Sequence, residues 1–376
     1  MGTFRSRMNE LRSTMQDWLV NRPIRDRPAD TVDERDTMFA RAAREPGTQE
    51  YDGYYERRPE NRAVDDRIRQ KPHLGSPDAL YHDREIARET EEYFEAIEDI
   101  DPDPETVAAW TDELDRADTP EAVLEALAQD HGAVDVGFTQ LPEEYVYSHK
   151  GRFDANYGEP VSLDHEWAVV FLVEMDRKAM NEAPKPPVLR ESARQYYRAA
   201  VIAKTIGAVL RNRGFEAEPQ YDAHYEVVLP PLAVEAGLGE LGRNNILVAD
   251  KYGSRVRIGA VTTTRPLQND EPISLGIERF CRSCNRCAST CPARALEPAG
   301  KESVRGTEKW PTDPTRCYSF WRQVGTDCGM CMNTCPFSHE NTWLHNTTRQ
   351  IIKHAPWLAP LFVWVDKGLY SYSVDL

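Results

Sequence analysis

The eight cysteines of this 376-residue chain lie between Cys281 and Cys335 and constrain its fold more than any other feature. The first four follow the pattern C-x2-C-x2-C-x3-C-P, the spacing with which cysteine thiolates bind iron–sulfur clusters in bacterial ferredoxins. The second four repeat the ending C-x2-C-x3-C-P, but the first of them stands eleven positions before the next. The sequence therefore predicts two [4Fe–4S] clusters.

The spacing also predicts which cysteines share a cluster. Because the x3 step carries the fourth thiolate away from its own loop, we expect that thiolate to bind the other cluster. The predicted ligands of one cluster are Cys281, Cys284, Cys287 and Cys335, and those of the other are Cys291, Cys317, Cys328 and Cys331. Disulfides are a weaker alternative because they need an oxidising compartment. Structural zinc is weaker too, since it prefers paired C-x-x-C knuckles.

Charge and hydropathy limit the partners. Lys and Arg number 46 against 62 Asp and Glu, a formal net charge of −16, which argues against DNA as a partner because nucleic acid requires a basic surface. The longest apolar run near the C-terminus, Trp357 to Val365, has about half of the ~20 residues that a membrane-spanning helix needs. The N-terminus shows neither a hydrophobic signal region nor a twin-arginine pair. We expect a cytoplasmic protein without a membrane span.

Four regions follow from the pattern along the chain. Residues 1–130 are predicted to form a polar, proline-broken arm followed by helices from Asp83 to about Ala128. Residues 131–272 are predicted to form an α/β domain with strands near 134–141, 166–175, 246–253 and 256–264. Its long helix is predicted to begin at Ser192 and to end at Gly214. Residues 273–345 contain the cysteines. Residues 346–376 form a tail rich in Trp and Tyr, which we expect to pack on the core.

A second distinctive stretch, EAGLGELGRNNILVADKYGSRVRIGAVTTTRPL at residues 235–267, directly precedes the cysteines. Together with the stretched second motif, WRQVGTDCGMCMNTCPF, it resembles the corrinoid-dependent reductive dehalogenases over about residues 165–345. The resemblance implies an α/β (α+β) fold: a nitroreductase-like corrinoid-binding sandwich followed by a bacterial-ferredoxin-like domain with two [4Fe–4S] clusters. It also implies an oxidoreductase that binds cobalamin and cleaves the carbon–halogen bond of a small organohalide. Electrons would come from a separate low-potential donor of ferredoxin or flavodoxin type.

The resemblance implies catalytic residues as well. A proton-donating tyrosine near the start of the long helix corresponds to Tyr196, with Tyr197 one step away. A cation from the Y-G-x-R-V-R segment corresponds to Arg257 or Arg255, which alternation places on one face of a strand. A cation close to the phenol is expected to lower its pKa. The plainer alternative is that the arginines are surface charges and the tyrosines pack on a helix face.

The same resemblance implies a cofactor pocket lined by Asp222, His224 and Tyr225. The turn that contains Gly237, Leu238, Gly239, Gly242 and Arg243 is expected to let backbone approach the cofactor without a Cβ in the way. An ordinary tight turn is an equally good explanation of these glycines. No D-x-H-x-x-G corrinoid motif is present, because Val227 stands where its glycine would be. The cobalamin prediction therefore depends on the resemblance.

Two other functions compete with dehalogenation. Epoxyqueuosine reductases, which act on tRNA, share the AGLG turn, but that turn usually continues as GLGWIGK, and a much longer gap precedes their last C-x-x-C. Here Glu240–Arg243 reads ELGR, the gap after Cys317 has ten residues, and the acidic charge disfavours tRNA. A non-catalytic electron-transfer or cobalamin-handling protein is the third alternative.

Overall fold

The computed structural model describes residues 31–370. The first thirty residues of the predicted arm and the last six of the predicted tail lie outside the described residues. The described chain begins with a 3-10 turn, Glu34–Asp36, and short helices that start at threonine N-caps: the side chains of Thr37 and Thr48 accept hydrogen bonds from backbone N–H groups of the first turn. These helices are α1 (Met38–Ala43), α2 (Gln49–Arg57) and α3 (Pro59–Arg69).

Three helices follow where the sequence predicts them, between residues 83 and 130. Asp83 and Asp103 cap two of them through their carboxylates, and Pro104 and Pro120 stand at first helical positions, where a missing N–H costs nothing. Their bounds are α4 (Arg84–Glu98), α5 (Pro104–Arg116) and α6 (Pro120–Asp130).

A four-stranded antiparallel sheet forms the centre of the next region. The strands are β1 (Asp135–Gln140), β2 (Trp167–Glu174), β3 (Ala217–Gln220) and, further along the chain, β6 (Val256–Thr263), in the order β1-β2-β6-β3. Between β2 and β3 lie α7 (Arg177–Asn181) and the 27-residue helix α8 (Pro186–Asn212). Between β3 and β6 lie α9 (Leu229–Glu235) and the two-residue strands β4 (Glu240–Leu241) and β5 (Leu247–Val248).

The sheet is covered on both faces. One face packs on α8, and α4, α5 and α6 contribute to the same core: Leu124 and Leu127 join Phe171, Val261 and Ile202 in a single buried cluster. The other face packs on α9, with Val170 and Leu172 against Leu232. Because α4–α6 share a core with the sheet, the predicted boundary at residue 130 separates elements that pack together. The strand predicted over 246–253 shortens to Leu247–Val248, since the chain turns at Gly253.

The cysteine region follows as a small, mainly helical domain. Its elements are α10 (Ile277–Cys284), α11 (Arg286–Ser289), the hairpin β7 (Glu302–Val304) and β8 (Thr307–Lys309), α12 (Pro314–Val324), α13 (Met330–Asn333) and a 3-10 turn, Pro336–Ser338. Left-handed residues break the helices between cysteines: Asn285, with φ 57°, separates α10 from α11, and Gly329, with φ 70°, precedes α13. Such turns fold each group of cysteines into a compact loop.

Both ends of the described chain pack on this cysteine domain. At the N-terminal end, Arg322 of α12 donates to the carbonyls of Lys71 and Pro72 at 2.6 Å each, and the Phe39 ring lies 5.5 Å from that of Tyr318. At the C-terminal end, helices α14 (Trp343–His354) and α15 (Ala359–Leu369) place Ile352 and Val363 in one core with Phe280. None of the helices between residues 31 and 370 combines the length and the apolar character that crossing a membrane requires.

Candidate functional site

The structure brings the eight cysteines together in two neighbouring groups. Burial and the charges of Cys335 and Cys284 raise the pKa of the Cys281 thiol, and those of Cys281, Cys331, Cys335 and Cys284 act in the same way on Cys287. Burial raises the pKa of Cys331 to about 12, with contributions from Cys317 and Cys291. All eight are free thiols. Most of these neighbours belong to the same predicted crossed set, and the influence of Cys331 on Cys287 indicates that the two sets lie near each other.

The chemistry of these groups fits clusters. Burial raises the pKa of Cys284 to about 12 and that of Cys317 to about 11, so the protein alone does not favour the thiolates that metal binding needs. Iron would supply the missing positive charge. Among residues 31–370, no set of three or more His, Cys, Asp or Glu side chains is gathered closely enough for a single metal ion. A cubane differs from such a site because its four ligands sit at four separate corners.

Arg243 supports the first cysteine group. Its side chain is buried, and the guanidinium donates to the carbonyl of Cys281 at 2.9 Å and to that of Ala299 at 2.7 Å. It also lies 4.0 Å from the centre of the Trp310 ring, and its backbone N–H is 3.4 Å from the Cys281 sulfur. The prediction placed Arg243 at the corrinoid; the structure instead commits its donors to the loop around Cys281.

Glu240 makes a second link from the same turn to the cysteines. Its carboxylate accepts a hydrogen bond from the Ile277 N–H at 2.6 Å and another from the Ser274 hydroxyl at 3.0 Å. Ile277 is the first residue of α10, which contains Cys281 and Cys284, so Glu240 satisfies an N-terminal donor of that helix. The ELGR segment therefore fastens the sandwich to the cysteine domain.

Other parts of the protein occupy the space beside each glycine of this turn. Gly237 has φ +74°, and a Cβ there would stand 2.9 Å from the Glu271 carbonyl oxygen; a Cβ at Gly239 would stand 2.4 Å from that of Val248. A Cβ at Gly242 would stand 2.8 Å from the Asn244 amide oxygen. Leu238 is buried in the sheet's second core. The close approach that these glycines permit is between protein segments, so the structure supports the tight-turn explanation.

Tyr196 and Arg257 meet between the long helix and the sheet. Helix α8 supplies the tyrosine and strand β6 the arginine, whose guanidinium carbon lies 4.7 Å from the centre of the Tyr196 ring. Burial raises the pKa of Tyr196 to about 12, although the charge of Arg257 opposes the rise. The expected cation is therefore present, but the expected net lowering of the pKa is wrong, because loss of hydration outweighs the arginine.

Two residues that the sequence analysis did not single out hold Arg257 in place. The guanidinium donates to the Asp327 carboxylate at 2.8 Å and to the Ser192 hydroxyl at 2.5 Å, and Ser192 in turn donates to Asp327. Asp327 directly precedes Cys328, and Ser192 stands one helical turn before Tyr196. Their positions, next to a predicted cluster ligand and one helical turn from the predicted proton donor, could have identified both residues from the sequence.

Arg255 has a different environment from Arg257. Its side chain is only 1% exposed and donates to the Met175 carbonyl at 2.7 Å, the Ser338 carbonyl at 2.8 Å and Glu174 at 2.9 Å. Its donors are used to join β2 to the turn after Cys335. This arrangement favours a structural role over the predicted catalytic one.

Asp222 and Tyr225 lie near enough to Tyr196 and Arg257 for their charges to act on one another, and these four residues form the Tyr196 cluster. Each is surrounded by protein yet partly accessible. Burial raises the pKa of Asp222, opposed by Arg152 and Arg257, and burial with the charges of Asp222 and Tyr196 raises that of Tyr225. The third predicted pocket residue, His224, turns outward: its Nε2 is 3.0 Å from Glu98.

Comparison with known proteins begins with the cysteine region. Residues 280–339 match the family described as 4Fe-4S dicluster domain, a range that includes all eight cysteines. The predicted pair of clusters is confirmed.

Curated relatives match a longer part of the chain. Tetrachloroethene reductive dehalogenase of Desulfitobacterium hafniense is 34% identical over 216 residues, covering 54% of this chain and 38% of the relative. The enzyme of that name from Sulfurospirillum multivorans is 30% identical over 211 residues, covering 54% and 42%. Epoxyqueuosine reductase of Lactococcus garvieae is 30% identical over only 112 residues, covering 28% and 31%. The chain spans less than half the length of the dehalogenases it matches.

Solved structures extend the similarity to nearly the whole chain. The catabolic reductive dehalogenase NpRdhA superposes with a TM-score of 0.71 at 23% identity, covering 93% of this chain and 48% of that one. A second solved reductive dehalogenase, described with a mechanism for B12-dependent dehalogenation, gives a TM-score of 0.67 with the same coverage. The predicted fold is confirmed. The chain is thus a relative of the reductive dehalogenases that has their fold and contains a 4Fe-4S dicluster domain.

Proposed function

We propose that this protein is a reductive dehalogenase. The reaction consumes two electrons and one proton: R–X + 2e⁻ + H⁺ gives R–H and X⁻. The observation that carries the proposal is the chain of contacts from Tyr196 through Arg257 and Asp327 to the cysteine loop at Cys328. In this proposal Tyr196 supplies the proton and the cysteine region supplies the electrons, on either side of the partly buried Arg257–Asp327 ion pair.

Cofactors account for the electron chemistry. Cys281, Cys284, Cys287 and Cys335 are assigned to one [4Fe–4S] cluster, and Cys291, Cys317, Cys328 and Cys331 to the other. Cobalamin, when bound in its Co(I) form, supplies the cleavage of the carbon–halogen bond. Asp222 and Tyr225, which belong to the Tyr196 cluster, are assigned to contacts with this cofactor. His224 is assigned to the edge of the same pocket.

The protein's own residues supply the proton and its control. Burial keeps the Tyr196 phenol protonated, as a proton donor must be, and the adjacent Arg257 stabilises the phenolate that remains after transfer. Ser192 and Asp327 fix the direction of Arg257. Arg255 supports the strand without touching Tyr196.

The substrate is proposed to be a small organohalide, and the reductant a separate low-potential protein of ferredoxin or flavodoxin type. A cytoplasmic location is proposed as well, because eight free cysteines suit a compartment in which thiols stay reduced. Neither DNA nor a membrane is a proposed partner.

The deciding experiment uses protein purified anaerobically from a host supplied with cobalamin, with cobalt and iron assayed per chain. We expect cobalt to accompany about eight irons. Halide release is then measured under a strong low-potential reductant with haloalkenes and haloaromatics. A protein that holds both cofactors yet releases no halide from any of them contradicts the proposal. Conversion of epoxyqueuosine-containing tRNA by the same sample would favour the alternative reductase.

A further inference from the structure

Large apolar side chains are concentrated on the surface of the two C-terminal helices. Thirteen such side chains are exposed within residues 31–370, and eight of them lie between Trp343 and Leu369. Single exposed apolar residues are ordinary on a protein surface, whereas a concentration of them marks a surface that another molecule covers. The proposed reaction has given this part of the chain no role.

Four of these side chains form a stripe along α15. Leu361, Trp364, Val365 and Leu369 follow the spacing i, i+3, i+4 and i+8, which places them on one face of a helix. Trp364 is 73% exposed, Leu369 67% and Leu361 53%. Lys367 is also exposed and stands three positions after Trp364, so it neighbours the stripe. These five residues form the α15 face.

The opposite side of α15 packs on the first cysteine group. Val363 shares a core with Phe280 and Cys284, and Cys281 and Cys335 border the same core. All three of these cysteines are predicted ligands of one cluster. Because a helix with its side chains is about 10–12 Å across, a molecule on the α15 face would be separated from this group by roughly one helix width. An electron can pass between redox centres in proteins over such a separation.

An ion pair fixes α15 to the same cysteine loop. The Asp366 carboxylate lies 3.2 Å from Nε of Arg286 and 2.7 Å from Nε2 of His339. Arg286 stands between Cys284 and Cys287 in the sequence. The helix is therefore held at a defined position over the loop, with its apolar stripe facing outward.

The two cysteine groups face different parts of the molecule. The second group reaches the Tyr196 cluster through Asp327, which directly precedes Cys328 and accepts from Arg257 at 2.8 Å. The first group instead borders the core beneath α15. An electron that enters at the α15 face would thus meet the first group before the second, and the second group before the Tyr196 cluster.

The charge of the C-terminal helices is opposite in sign to that of the whole chain. Residues 341–370 contain Arg349, Lys353 and Lys367 against one acid, Asp366, a formal charge of +2 in a chain of −16. Asp366 is buried and paired inside the protein, whereas Lys367 is exposed on the α15 face. An acidic partner is therefore repelled by the chain as a whole and attracted to this segment.

We propose that the α15 face is the docking surface for the electron donor, a small acidic protein of ferredoxin or flavodoxin type. Aromatic residues at the centre of an interface supply much of its binding energy, and charges at its rim speed the encounter. In each encounter the donor loses one electron and the cluster assigned to the first cysteine group gains it, so two encounters supply the two electrons of the proposed reaction. The inference rests on the proposed function and deepens it by locating the partner.

The test follows reduction of the clusters without any organohalide. Holoenzyme with verified iron and cobalt is mixed in a stopped-flow instrument with a reduced bacterial ferredoxin or with flavodoxin hydroquinone, and the loss of iron–sulfur absorbance is recorded. Leu361→Glu should lower the second-order rate constant about tenfold or more, because it puts an acid into the apolar stripe opposite an acidic partner. Leu80→Glu, at a leucine that is 55% exposed outside the α15 face, is the matched control. Reduced methyl viologen, a small molecule that needs no docking surface, should reduce all three proteins at the same rate.

Ionic strength gives a second readout of the same encounter. In the parent, the rate constant with the acidic donor should fall as salt is added, since salt screens the attraction. In Lys367→Glu the rate constant at low salt should be lower and its fall with added salt should be smaller. A parent rate constant that does not change with salt would contradict an acidic partner.

The outcomes separate this inference from the proposed function. A selective loss in Leu361→Glu supports the docking surface even if the enzyme releases no halide, in which case the proposed function is what fails. Equal rate constants in parent and Leu361→Glu, or failure of both ferredoxin and flavodoxin to reduce the parent, overturn the inference and leave the proposed function standing.

Two further measurements identify a different occupant of the α15 face. A parent dimer that Leu361→Glu converts to a monomer in analytical ultracentrifugation, with donor rate constants unchanged, would assign the face to a second copy of the chain. Binding to vesicles of phosphatidylcholine and phosphatidylglycerol that the same variant loses would assign it to lipid. Either result, obtained with unchanged reduction by the donor, overturns the inference.

Discussion

The guanidinium carbon of Arg257 lies 4.7 Å from the centre of the Tyr196 ring, and its nitrogen is held by Asp327 at 2.8 Å. Two opposing effects therefore act on one phenol. Burial raises the pKa of Tyr196 to about 12, and the arginine limits that rise. A phenol of this kind keeps its proton at neutral pH. In the proposed reaction it would give that proton to the product carbon, and Arg257 would stabilise the phenolate that remains.

Replacing Tyr196 by Phe should lower halide release by about 10²–10⁴-fold, the usual contribution of a positioned acid. Tyr197→Phe is the control one position away: its ring packs 6.0 Å from that of Tyr93, away from Arg257. Cobalt and iron contents should match the parent in both variants. Equal losses in the two variants would remove Tyr196 from its proposed role.

The two arginines of the β6 segment should behave differently. Arg255→Gln leaves the carbonyls of Met175 and Ser338 without their buried donor and should lower the free energy of unfolding by about 3 kcal/mol. Arg257→Gln should chiefly lower the rate of halide release, because Tyr196 loses its adjacent cation. Chemical denaturation alongside initial rates separates the two effects. A stable Arg255→Gln enzyme with a large loss of rate would restore the catalytic role predicted from the sequence.

Arg243→Ala should damage the first cluster selectively. Its guanidinium holds the Cys281 and Ala299 carbonyls, so without it the loop around Cys281 loses support. Iron should fall from about eight to about four atoms per chain. Arg282→Ala, at a 65% exposed arginine next to Cys281, should leave iron unchanged. Full iron in Arg243→Ala, with altered cobalamin absorption instead, would point back to a corrinoid contact.

Serine substitutions should sort the cysteines into the two crossed sets. Cys335→Ser should perturb the same cluster signal as Cys281→Ser, although Cys335 lies in the second motif. Cys291→Ser should share its signal with Cys317→Ser. Electron paramagnetic resonance of the reduced variants distinguishes the clusters. If Cys291→Ser instead perturbs the same cluster signal as Cys281→Ser, each cluster is bound by four consecutive cysteines and the crossed assignment is refuted.

Stability should decline in alkaline solution as tyrosines ionise in the unfolded chain. Burial raises the pKa of Tyr221 to about 12, whereas an unfolded tyrosine ionises near pH 10. The stabilisation is therefore complete below about pH 10 and is lost as the pH rises towards about 12. In Tyr221→Phe, melting temperature should fall less steeply between about pH 9 and 11 than in the parent. If melting temperature falls equally steeply with pH in the parent and in Tyr221→Phe, Tyr221 does not contribute to the alkaline loss of stability.

Much of the fold was predictable because local patterns and tertiary packing agree. The strands around β1, β2 and β6 and the helices α4–α6 follow from apolar runs, acidic caps and prolines that act within a few residues. The residues at which helices and strands begin and end were less predictable. Helix α8 begins at Pro186, some six residues before the pattern suggested, and the strand predicted at 246–253 survives only as Leu247–Val248.

The sequence alone determined the chemistry of the cysteines, because both the type of ligand and the spacing between ligands are properties of the sequence. Tertiary structure decided which charged residues serve which purpose. Arg243, Arg255 and Arg257 look alike in sequence, yet the first supports the Cys281 loop, the second joins β2 to the turn after Cys335, and the third meets Tyr196. Partners such as Asp327 and Ser192 come from 135 positions apart, and only the folded chain brings them within hydrogen-bonding distance. Short-range spacing fixes local ligand geometry, whereas the neighbours of a long side chain depend on how distant segments pack.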